Sequence, residues 1–337
     1  MFDYEFPEEL IAQEPASPRD HSRLMVVRRS DGSIEHARFY MLPQFLREGD
    51  LLVFNKSRVI RARLIGFKVG GGAKVELLLI RRIDDTLWEV MAKPAKRLKR
   101  GTQLVFGEGE LSCVVEEVLE EGFRRVRFSV GGDDFIGLLE RIGEVPTPPY
   151  IKKKVRDPES YQTVYAEIPG SVAAPTAGFH FTESLLRELE GKGVRFTFLV
   201  LHVGAATFLP VRGDISKHRV PPEYYEVPED CVNEVNSALR EGRRVIAVGT
   251  TTTRVLESVC DESGFIFPGR GWTDLFILPG FKFRVIKGLI TNFHLPRTTL
   301  LALVSAFAGI ELLKKAYEIA VRERYRLYSF GDAMLIL

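Results

Sequence analysis

The hydrophobic positions along this chain follow two different patterns, which meet near residue 150. From about Arg58 to Val130, short runs rich in β-branched residues follow one another, with turn material such as Gly70-Gly71-Gly72 between them. About six such runs at regular spacing, with no helical pattern between them, predict a small antiparallel barrel. The runs are RVIRARLIG, AKVELLLIRR, TLWEVMAK, TQLVFG, LSCVVEEV and FRRVRFSV. A helical pattern over 133–142 and a proline-rich linker over 143–151 follow them.

After the linker, buried strands alternate with helices. Thr182 is a suitable N-cap for a helix with Gly191 at its C′ position, and further helices are predicted over 229–241, after the threonine run that begins at Thr250, over 297–307 and from Ile310. The predicted strands are RLMVVR, DLLVFN, VRFTFLVLHVG, RRVIAVGT and GLITNF. This alternation predicts an α/β fold with a mostly parallel or mixed sheet covered by helices. We expect an α/β domain built from both chain ends, 1–57 and 152–337, with an antiparallel β-barrel domain inserted over 58–151.

Composition narrows the class of protein. The chain has 337 residues, 45% of them hydrophobic and 27% charged, with a net charge of +2, which is typical of a globular protein and gives no argument for or against RNA binding. The cysteines Cys113, Cys231 and Cys260 lie far apart without a C-x-x-C spacing, which argues against a zinc site or disulfides. No apolar run approaches the ~20 residues of a membrane span, and the N-terminus lacks the pattern of a signal peptide. We expect a cytoplasmic protein without a metal or a membrane partner.

A threonine-rich turn is the most suggestive local pattern. An apolar strand ends at Gly249, and the run from Thr250 to Thr253 leads into a helix. Free backbone N–H groups and hydroxyls at such a turn can hold a phosphate, carboxylate or ribose, although the threonines can also serve only as helix caps. The chain has neither G-x-G-x-x-G after a strand nor G-x-x-x-x-G-K-[ST], so a standard dinucleotide or P-loop site is disfavoured.

Three histidines lie at junctions between strands and helices. His180 precedes the Thr182 cap, where a helix N-terminus favours a neutral imidazole, His202 ends a strand, and His294 lies in the turn TNFHLP. Such junctions on one edge of an α/β sheet are where ligands usually bind, although each histidine can also be structural. Their spacing is unlike that of a helical metal pair.

Acidic and basic residues supply further candidates. The carboxylates are Glu167, Glu183, Asp274 and Asp332, and surface or capping roles are open to each. The basic clusters can follow a phosphate backbone, and interleaved aromatic residues can stack on unpaired bases, although such clusters can also be solvated faces. The clusters are Lys93 to Arg100, Lys152 to Arg156, Phe281 to Arg284 and Arg322 to Tyr328.

Eight sequence blocks, in order and over nearly the whole chain, resemble the tRNA ribosyltransferase-isomerase family of the queuosine pathway. The resemblance is highly specific, although each motif alone is only suggestive. The blocks are FDYEFPEELIAQEPA, DLLVFNKSRVIRARL, GEVPTPPYI, YQTVYAEIPGSVAAPTAGFHFT, FLVLHVGAATFLPV, VIAVGTTTTRVLES, LITNFHLPRTTLLALVSAFAG and YSFGDAM. Two departures from the family's pattern are Ala206, where a glycine is common, and Pro221-Pro222, where a His-Ser pair is frequent; the second argues against an essential histidine there.

The resemblance implies a reaction and its partners. S-adenosylmethionine would be consumed as a co-substrate, without a separate cofactor. Its ribosyl part would be transferred and isomerised onto the aminomethyl group of a 7-deazaguanine base at the wobble position of the tRNA anticodon loop. Epoxyqueuosine, adenine and methionine would result. The family's α/β domain plus β-barrel agrees with the two patterns above.

Roles for side chains follow from this implied chemistry. A neutral base must remove the ribose C5′ proton that the sulfonium acidifies, and our hypothesis assigns it to His180 or His202. A carboxylate, Glu167, Glu183 or Asp274, would orient this base or hold the substrate amine. The residues expected to bind S-adenosylmethionine are Thr176, Gly178, Gly249, Thr250, Thr251, Thr252, Thr253, Asn292 and His294.

Two other classes of protein are compatible with parts of the pattern. A non-catalytic RNA-binding protein would use the barrel alone and would not consume S-adenosylmethionine. An α/β hydrolase or other small-molecule transferase would explain the helices and strands, but the chain lacks the G-x-S-x-G of a nucleophile elbow. Neither class explains the eight blocks.

Overall fold

The computed structural model describes residues 3–153, 155, 157–204, 215 and 218–337. The departure at Ala206 and two members of the basic cluster at 152–156, Lys154 and Arg156, lie outside the described residues. None of the helices in the described ranges combines the length and hydrophobicity needed to cross a lipid bilayer.

The described elements are seventeen strands and six α-helices, with short 3-10 helices between them. The strands are β1 (Arg23–Val27), β2 (Ile34–Arg38), β3 (Leu51–Asn55), β4 (Ser57–Val59), β5 (Arg63–Lys68), β6 (Lys74–Arg82), β7 (Leu87–Lys93), β8 (Gln103–Phe106), β9 (Leu111–Val118), β10 (Phe123–Phe128), β11 (Ile168–Ser171), β12 (Arg195–Leu201), β13 (Glu223–Val227), β14 (Val245–Val248), β15 (Gly269–Thr273), β16 (Gly288–Asn292) and β17 (Ala333–Ile336). The helices are α1 (Gly132–Ile142), α2 (Glu183–Gly191), α3 (Glu229–Arg240), α4 (Thr250–Ser258), α5 (Thr299–Ala308) and α6 (Ile310–Arg322).

The predicted barrel is confirmed. Six antiparallel strands close in the order β10-β7-β6-β5-β8-β9, and their inward side chains, among them Leu64, Leu77 and Val90, form a separate hydrophobic core. The helix α1 contributes Phe135 to this core. The run RVIRARLIG was expected to be one strand, and this is wrong: it divides into β4 and β5, because β4 leaves the barrel to pair in parallel with β11.

The second unit is a nine-stranded mixed sheet in the order β15-β13-β12-β3-β14-β16-β17-β1-β2. Four of its neighbouring pairs are parallel and four antiparallel, so the expectation of a mostly parallel sheet holds only for its centre. Along β1, Met25 and Val27 enter one hydrophobic core while Leu24 and Val26 enter another, because successive side chains of a strand point to opposite faces. The sheet takes strands from both ends of the chain; the domain boundaries at 57/58 and 151/152 stay a prediction.

The cap of α2 is partly as predicted. The Thr182 hydroxyl accepts a hydrogen bond from the Leu185 N–H at 3.2 Å, as an N-cap should. Gly191, however, is still helical, and Gly193 is the residue with a positive φ, at +83°. The helix therefore continues further than the glycine pattern suggested.

One edge of the sheet collects the carboxyl ends of four strands. The strands β12, β3, β14 and β16 are parallel neighbours, so the residues that follow them leave the sheet on the same side. These include His202 after β12, Gly249 after β14 and His294 after β16. This is the edge at which open α/β sheets usually bind ligands.

Candidate active site

A pocket of about 80 Å³ lies at this edge. It is formed by the turn after β14, the segment after β16 and the start of the 3-10 helix Thr176–His180. The structure thus brings together six residues that were predicted to bind one ligand, namely Thr176, Gly249, Thr250, Thr251, Asn292 and His294. Tyr150, Tyr328 and Ser329 also line the pocket; the sequence analysis had named Tyr328 only as an aromatic residue of a basic cluster, and Tyr150 and Ser329 only within family blocks.

The threonines of the turn divide into two groups. The hydroxyls of Thr252 and Thr253 donate to the carbonyls of Val248 and Gly249, at 2.8 and 3.1 Å, and are structural. The Thr251 hydroxyl is buried without a hydrogen-bond partner among the described residues, although it lines the pocket. The first-turn N–H groups of α4 have no partners within the helix. The turn therefore presents donors to the pocket.

Gly178, expected in the same ligand site, does not line this pocket. A Cβ built on it would lie 1.9 Å from the Tyr165 hydroxyl oxygen, so its role is to let that ring approach the backbone.

His180 holds other site residues in place. Its Nε2 lies 3.2 Å from the amide nitrogen of Asn292, which donates to it, and its Nδ1 lies 2.7 Å from the Ser22 hydroxyl. The ring is buried and stacks on Phe39 at 4.9 Å between centroids. Burial, and then the nearby cations Arg326 and Arg19, lower the pKa of His180 to about 3. A pKa of about 3 corresponds to a neutral ring at physiological pH, with burial as the main cause, and both ring nitrogens have hydrogen-bond partners.

His294 is also neutral and engaged. Its Nε2 lies 2.7 Å from the Thr291 hydroxyl, its N–H donates to the Tyr317 hydroxyl at 2.8 Å, and its carbonyl accepts from the Tyr4 hydroxyl at 2.6 Å. Burial lowers the pKa of His294 to about 3. Its side chain lines the pocket while its backbone is fixed from two sides.

We expect these buried histidines to make the protein less stable in mild acid. In the unfolded chain, His294 binds a proton as the pH falls below the ordinary histidine pKa of 6.5. In the folded protein it binds this proton only near pH 3, because burial lowers its pKa. The unfolding free energy therefore falls as pH drops through 6.5, by up to about 2 kcal/mol at pH 5 for this residue. Urea unfolding at pH 7.5 and 5.0 measures the loss. It should be smaller in H294Q and unchanged in H21Q, an exposed histidine; an equal loss in all three proteins would contradict the account.

A cleft of about 990 Å³ adjoins the pocket, and Val203 and Leu300 line both cavities. One wall of the cleft comes from the barrel, including Arg82, Trp88 and Phe123. The other wall comes from the mixed sheet and the segment before β13, and it includes the departure Pro221-Pro222. The cleft thus lies between the barrel and the mixed sheet, next to the pocket.

His202 lies on the wall of this cleft. Its ring stacks on Tyr224 with 5.6 Å between centroids, and its Nδ1 is buried without a hydrogen-bond partner among the described residues. Burial, and then the charge of Arg82, lower the pKa of His202 to about 4. Gly170 makes room for the ring: a Cβ there would lie 2.6 Å from Nε2. His202 is thus a neutral base at a cavity wall.

A buried ion pair in the same wall was missed in the sequence. Glu223 and Arg254 are each 6% exposed and form a salt bridge, and the second carboxylate oxygen accepts the Gly204 N–H at 2.8 Å. Arg254 also donates to the carbonyls of Leu275 and Thr273. The one available signal was an arginine within an otherwise uncharged helix start, TTTTRVL. The pair ties α4, which carries Thr251, to the backbone beside His202.

The predicted carboxylates are not brought to the cavities. Glu183 and Asp274 are exposed, and Glu167 pairs with Lys56 at 2.8 Å on the surface. Asp332 is buried, but its oxygens accept the backbone N–H groups of Arg23 and Arg326 and so have a structural role. None of the four lines the pocket or the cleft. Among the described residues, no group of three or more His, Cys, Asp or Glu could hold a metal ion.

The expected stacking aromatics in two basic clusters are part of the core. Tyr325 and Tyr328 are 0% and 3% exposed, and Phe281 and Phe283 pack together and against the large sheet core. The prediction that RNA bases stack on Tyr325 is therefore wrong, because its ring is buried in the hydrophobic core of the sheet. The lysines and arginines of the cluster at 93–100, in contrast, are exposed.

Comparison with known proteins agrees with this architecture. Residues 1–336 match a family model described as queuosine biosynthesis protein. The chain is 55% identical over 337 residues to the S-adenosylmethionine:tRNA ribosyltransferase-isomerase of Carboxydothermus hydrogenoformans, which covers 100% of this chain and 98% of the relative. It is 53% identical over 336 residues to the enzyme of the same name from Acetivibrio thermocellus, covering 99% and 98%.

A solved structure is also similar. The crystal structure of S-adenosylmethionine tRNA ribosyltransferase from Thermotoga maritima has 40% sequence identity and a TM-score of 0.57, and the match covers 100% of this chain and 99% of that chain. The chain therefore belongs to the queuosine biosynthesis protein family, as one of its S-adenosylmethionine-using tRNA ribosyltransferase-isomerases.

Proposed function

We propose that this enzyme transfers and isomerises the ribosyl part of S-adenosylmethionine onto 7-aminomethyl-7-deazaguanine at the wobble position of tRNA. The products would be epoxyqueuosine in the tRNA, adenine and methionine. The observation that supports this proposal best is the pair of adjoining cavities, whose lining includes several buried polar atoms without a hydrogen-bond partner among the described residues, Thr251 Oγ1 and His202 Nδ1 among them. Buried polar atoms are nearly always hydrogen-bonded, so such atoms at a cavity wall are candidates for contact with a ligand.

The two cavities suit the two substrates. The small pocket has threonine hydroxyls and the N-terminus of α4, which fit the carboxylate or ribose hydroxyls of S-adenosylmethionine. The cleft is large enough for a base turned out of the anticodon loop together with the rest of the co-substrate. Transfer between the substrates would take place where the cavities meet, beside Val203 and Leu300.

The structure narrows our choice of base. His180 uses one ring nitrogen to accept from Asn292 and the other to bond Ser22, so we assign it a positioning role. The Nδ1 of His202 has no hydrogen-bond partner among the described residues, and burial lowers its pKa to about 4, so we assign it the removal of the C5′ proton that the sulfonium acidifies. In place of the exposed carboxylates, we assign a positioning role to Glu223. Its carboxylate accepts the backbone N–H of Gly204, two residues after His202.

The function is tested with S-adenosylmethionine labelled in its ribose and a tRNA that carries the 7-aminomethyl-7-deazaguanine base. We expect the label to enter the tRNA while one adenine is released per transfer. Binding of the tRNA without adenine release would instead show an RNA-binding protein. Transfer of the S-methyl group without adenine release would also overturn the proposal.

Gly170→Ala should impair the reaction through His202. The glycine has a φ of +145°, and its Cβ would lie 2.6 Å from the His202 Nε2, so the ring must move. A displacement of this size is expected to reduce adenine release by about 10²-fold. Gly71→Ala is the control, because no atom lies within 4 Å of the Cβ there. If both variants release adenine at the wild-type rate, the position of His202 is unimportant.

A further inference from the structure

A basic turn projects from the barrel. We use this name for residues 93–100, which connect β7 to β8. Five of its side chains are exposed cations that form no ion pair with any described residue, namely Lys93, Lys96, Arg97, Lys99 and Arg100. Elsewhere on the barrel, the surface arginines have carboxylate partners: Arg125 pairs with Glu117 at 2.6 Å, and Arg141 with Glu110 at 2.8 Å. The basic turn is thus a local concentration of uncompensated positive charge on a chain whose net charge is +2.

The backbone of the basic turn is held in place by hydrogen bonds from a buried arginine. Arg124 is 5% exposed, and its guanidinium donates to the carbonyls of Ala95 and Leu98 in the turn, at 2.6 and 2.8 Å. Leu98 is 1% exposed and anchors the turn in the barrel core. Because the backbone is fixed, less conformational freedom is lost when the cations bind a partner, which favours binding.

The basic turn also lies next to the cleft. The same Arg124 guanidinium donates to the carbonyls of Leu119 and Phe123, at 3.2 and 2.6 Å, and both of these residues line the cleft. A Cβ built on Gly122 would lie 3.6 Å from the Ala95 Cβ, so the hairpin between β9 and β10 packs against the turn. A polyanion that places one base in the cleft can therefore pass over the basic turn.

We propose that the basic turn binds the sugar-phosphate backbone of the tRNA whose base enters the cleft. Exposed Lys and Arg side chains contact phosphates without reading sequence, so the turn would add affinity and orientation and leave the chemistry to the cavities. This inference rests on the proposed function, because it takes the cleft to be the site that receives the target base.

The test compares three variants, each with three changes, in tRNA binding without S-adenosylmethionine. K96Q/R97Q/K99Q removes charge from the basic turn. R28Q/R141Q/R195Q removes the same charge from surface arginines that already have carboxylate partners and lie outside the basic clusters. K96R/R97K/K99R keeps the charge of the turn. Kd for a tRNA transcript is measured between 50 and 300 mM KCl.

We expect K96Q/R97Q/K99Q to raise Kd at least about tenfold at 150 mM salt, and to make the dependence of log Kd on log salt shallower by about two units. The other two variants should bind within about twofold of the wild type. Wild-type affinity and salt dependence in K96Q/R97Q/K99Q would overturn the inference. Since this assay involves no turnover, such a result would leave adenine release by the wild type, and so the proposed function, intact. If the wild type binds tRNA through the basic turn but releases no adenine, the proposed function is contradicted and the binding role of the turn is not.

Discussion

Replacing His202 by alanine should reduce adenine release by roughly 10²–10⁴-fold, the usual contribution of a general base. The ring lies on the wall of the cleft with Nδ1 unpartnered among the described residues, and burial keeps it neutral. Release should be measured at saturating tRNA and S-adenosylmethionine, with His21→Ala, a change at an exposed histidine, as the control. His180→Ala and His294→Ala should have smaller effects on the folded enzyme, because these rings position other groups. Near-normal release in all three site variants would contradict any catalytic role for a histidine here.

The pH profile gives a second readout of His202. Its pKa is lowered to about 4, so the neutral form is present throughout the range above about pH 5. The dependence of kcat/KM on pH, which reports groups in the free enzyme, should show no loss of activity near the ordinary histidine pKa of 6.5. An acid limb near 6.5 that disappears in the H202A variant would show a solvent-exposed base and contradict the geometry.

Arg254→Met should be the most destabilising of the substitutions discussed here. It leaves the Glu223 carboxylate 6% exposed without its cationic partner, and the carbonyls of Thr273 and Leu275 without a donor. Breaking a buried pair on one side costs about 3–5 kcal/mol, so the midpoint of urea unfolding should fall strongly. The E223Q/R254M double variant should be more stable than the sum of the single changes predicts, because it removes the isolated charge.

The matched control for this prediction is Arg28→Met. Arg28 and Glu35 also form an ion pair, but their side chains are 36% and 48% exposed, so the loss should be at most about 1 kcal/mol. Equal destabilisation by R254M and R28M would show that the buried pair does not hold α4 against β13. Adenine release by folded R254M should also be reduced, since the pair links the Thr251 turn to Gly204.

The fold was largely predictable from the hydrophobic pattern of the sequence. The strands that were predicted wrongly or missed have physical explanations. The barrel strands alternate between an inner and an outer face, which leaves a period of two in the sequence. The sequence did not distinguish β4 from β5, because the intervening Ile60, Arg61 and Ala62 include no turn residue and only the pairing of β4 with β11 separates the two strands. The central strand β17 was also missed: it pairs with β1 and β16, contacts that no local pattern encodes.

Residues at strand ends were predicted better than residues within strands. The strands β14 and β16 are parallel neighbours, so their carboxyl ends lie at one edge of the sheet. This topology alone brings together Gly249 after β14, Asn292 at the end of β16 and His294 after it. Glu223 begins an antiparallel strand, and its burial depends on Arg254 from a distant helix, so its sequence context EYYEV resembles a surface strand. Glu183 and Asp274 are exposed, because the presence of a carboxylate in the sequence does not determine where its side chain points.

A crystal structure of the enzyme with bound S-adenosylmethionine tests the account most directly. We expect density between Thr176, Thr251 and Asn292, with the Thr251 hydroxyl bonded to the ligand and the ribose C5′ directed towards His202 Nδ1 across the junction of pocket and cleft. Density at another edge of the sheet, or in the pocket with the ribose turned away from His202, would contradict it.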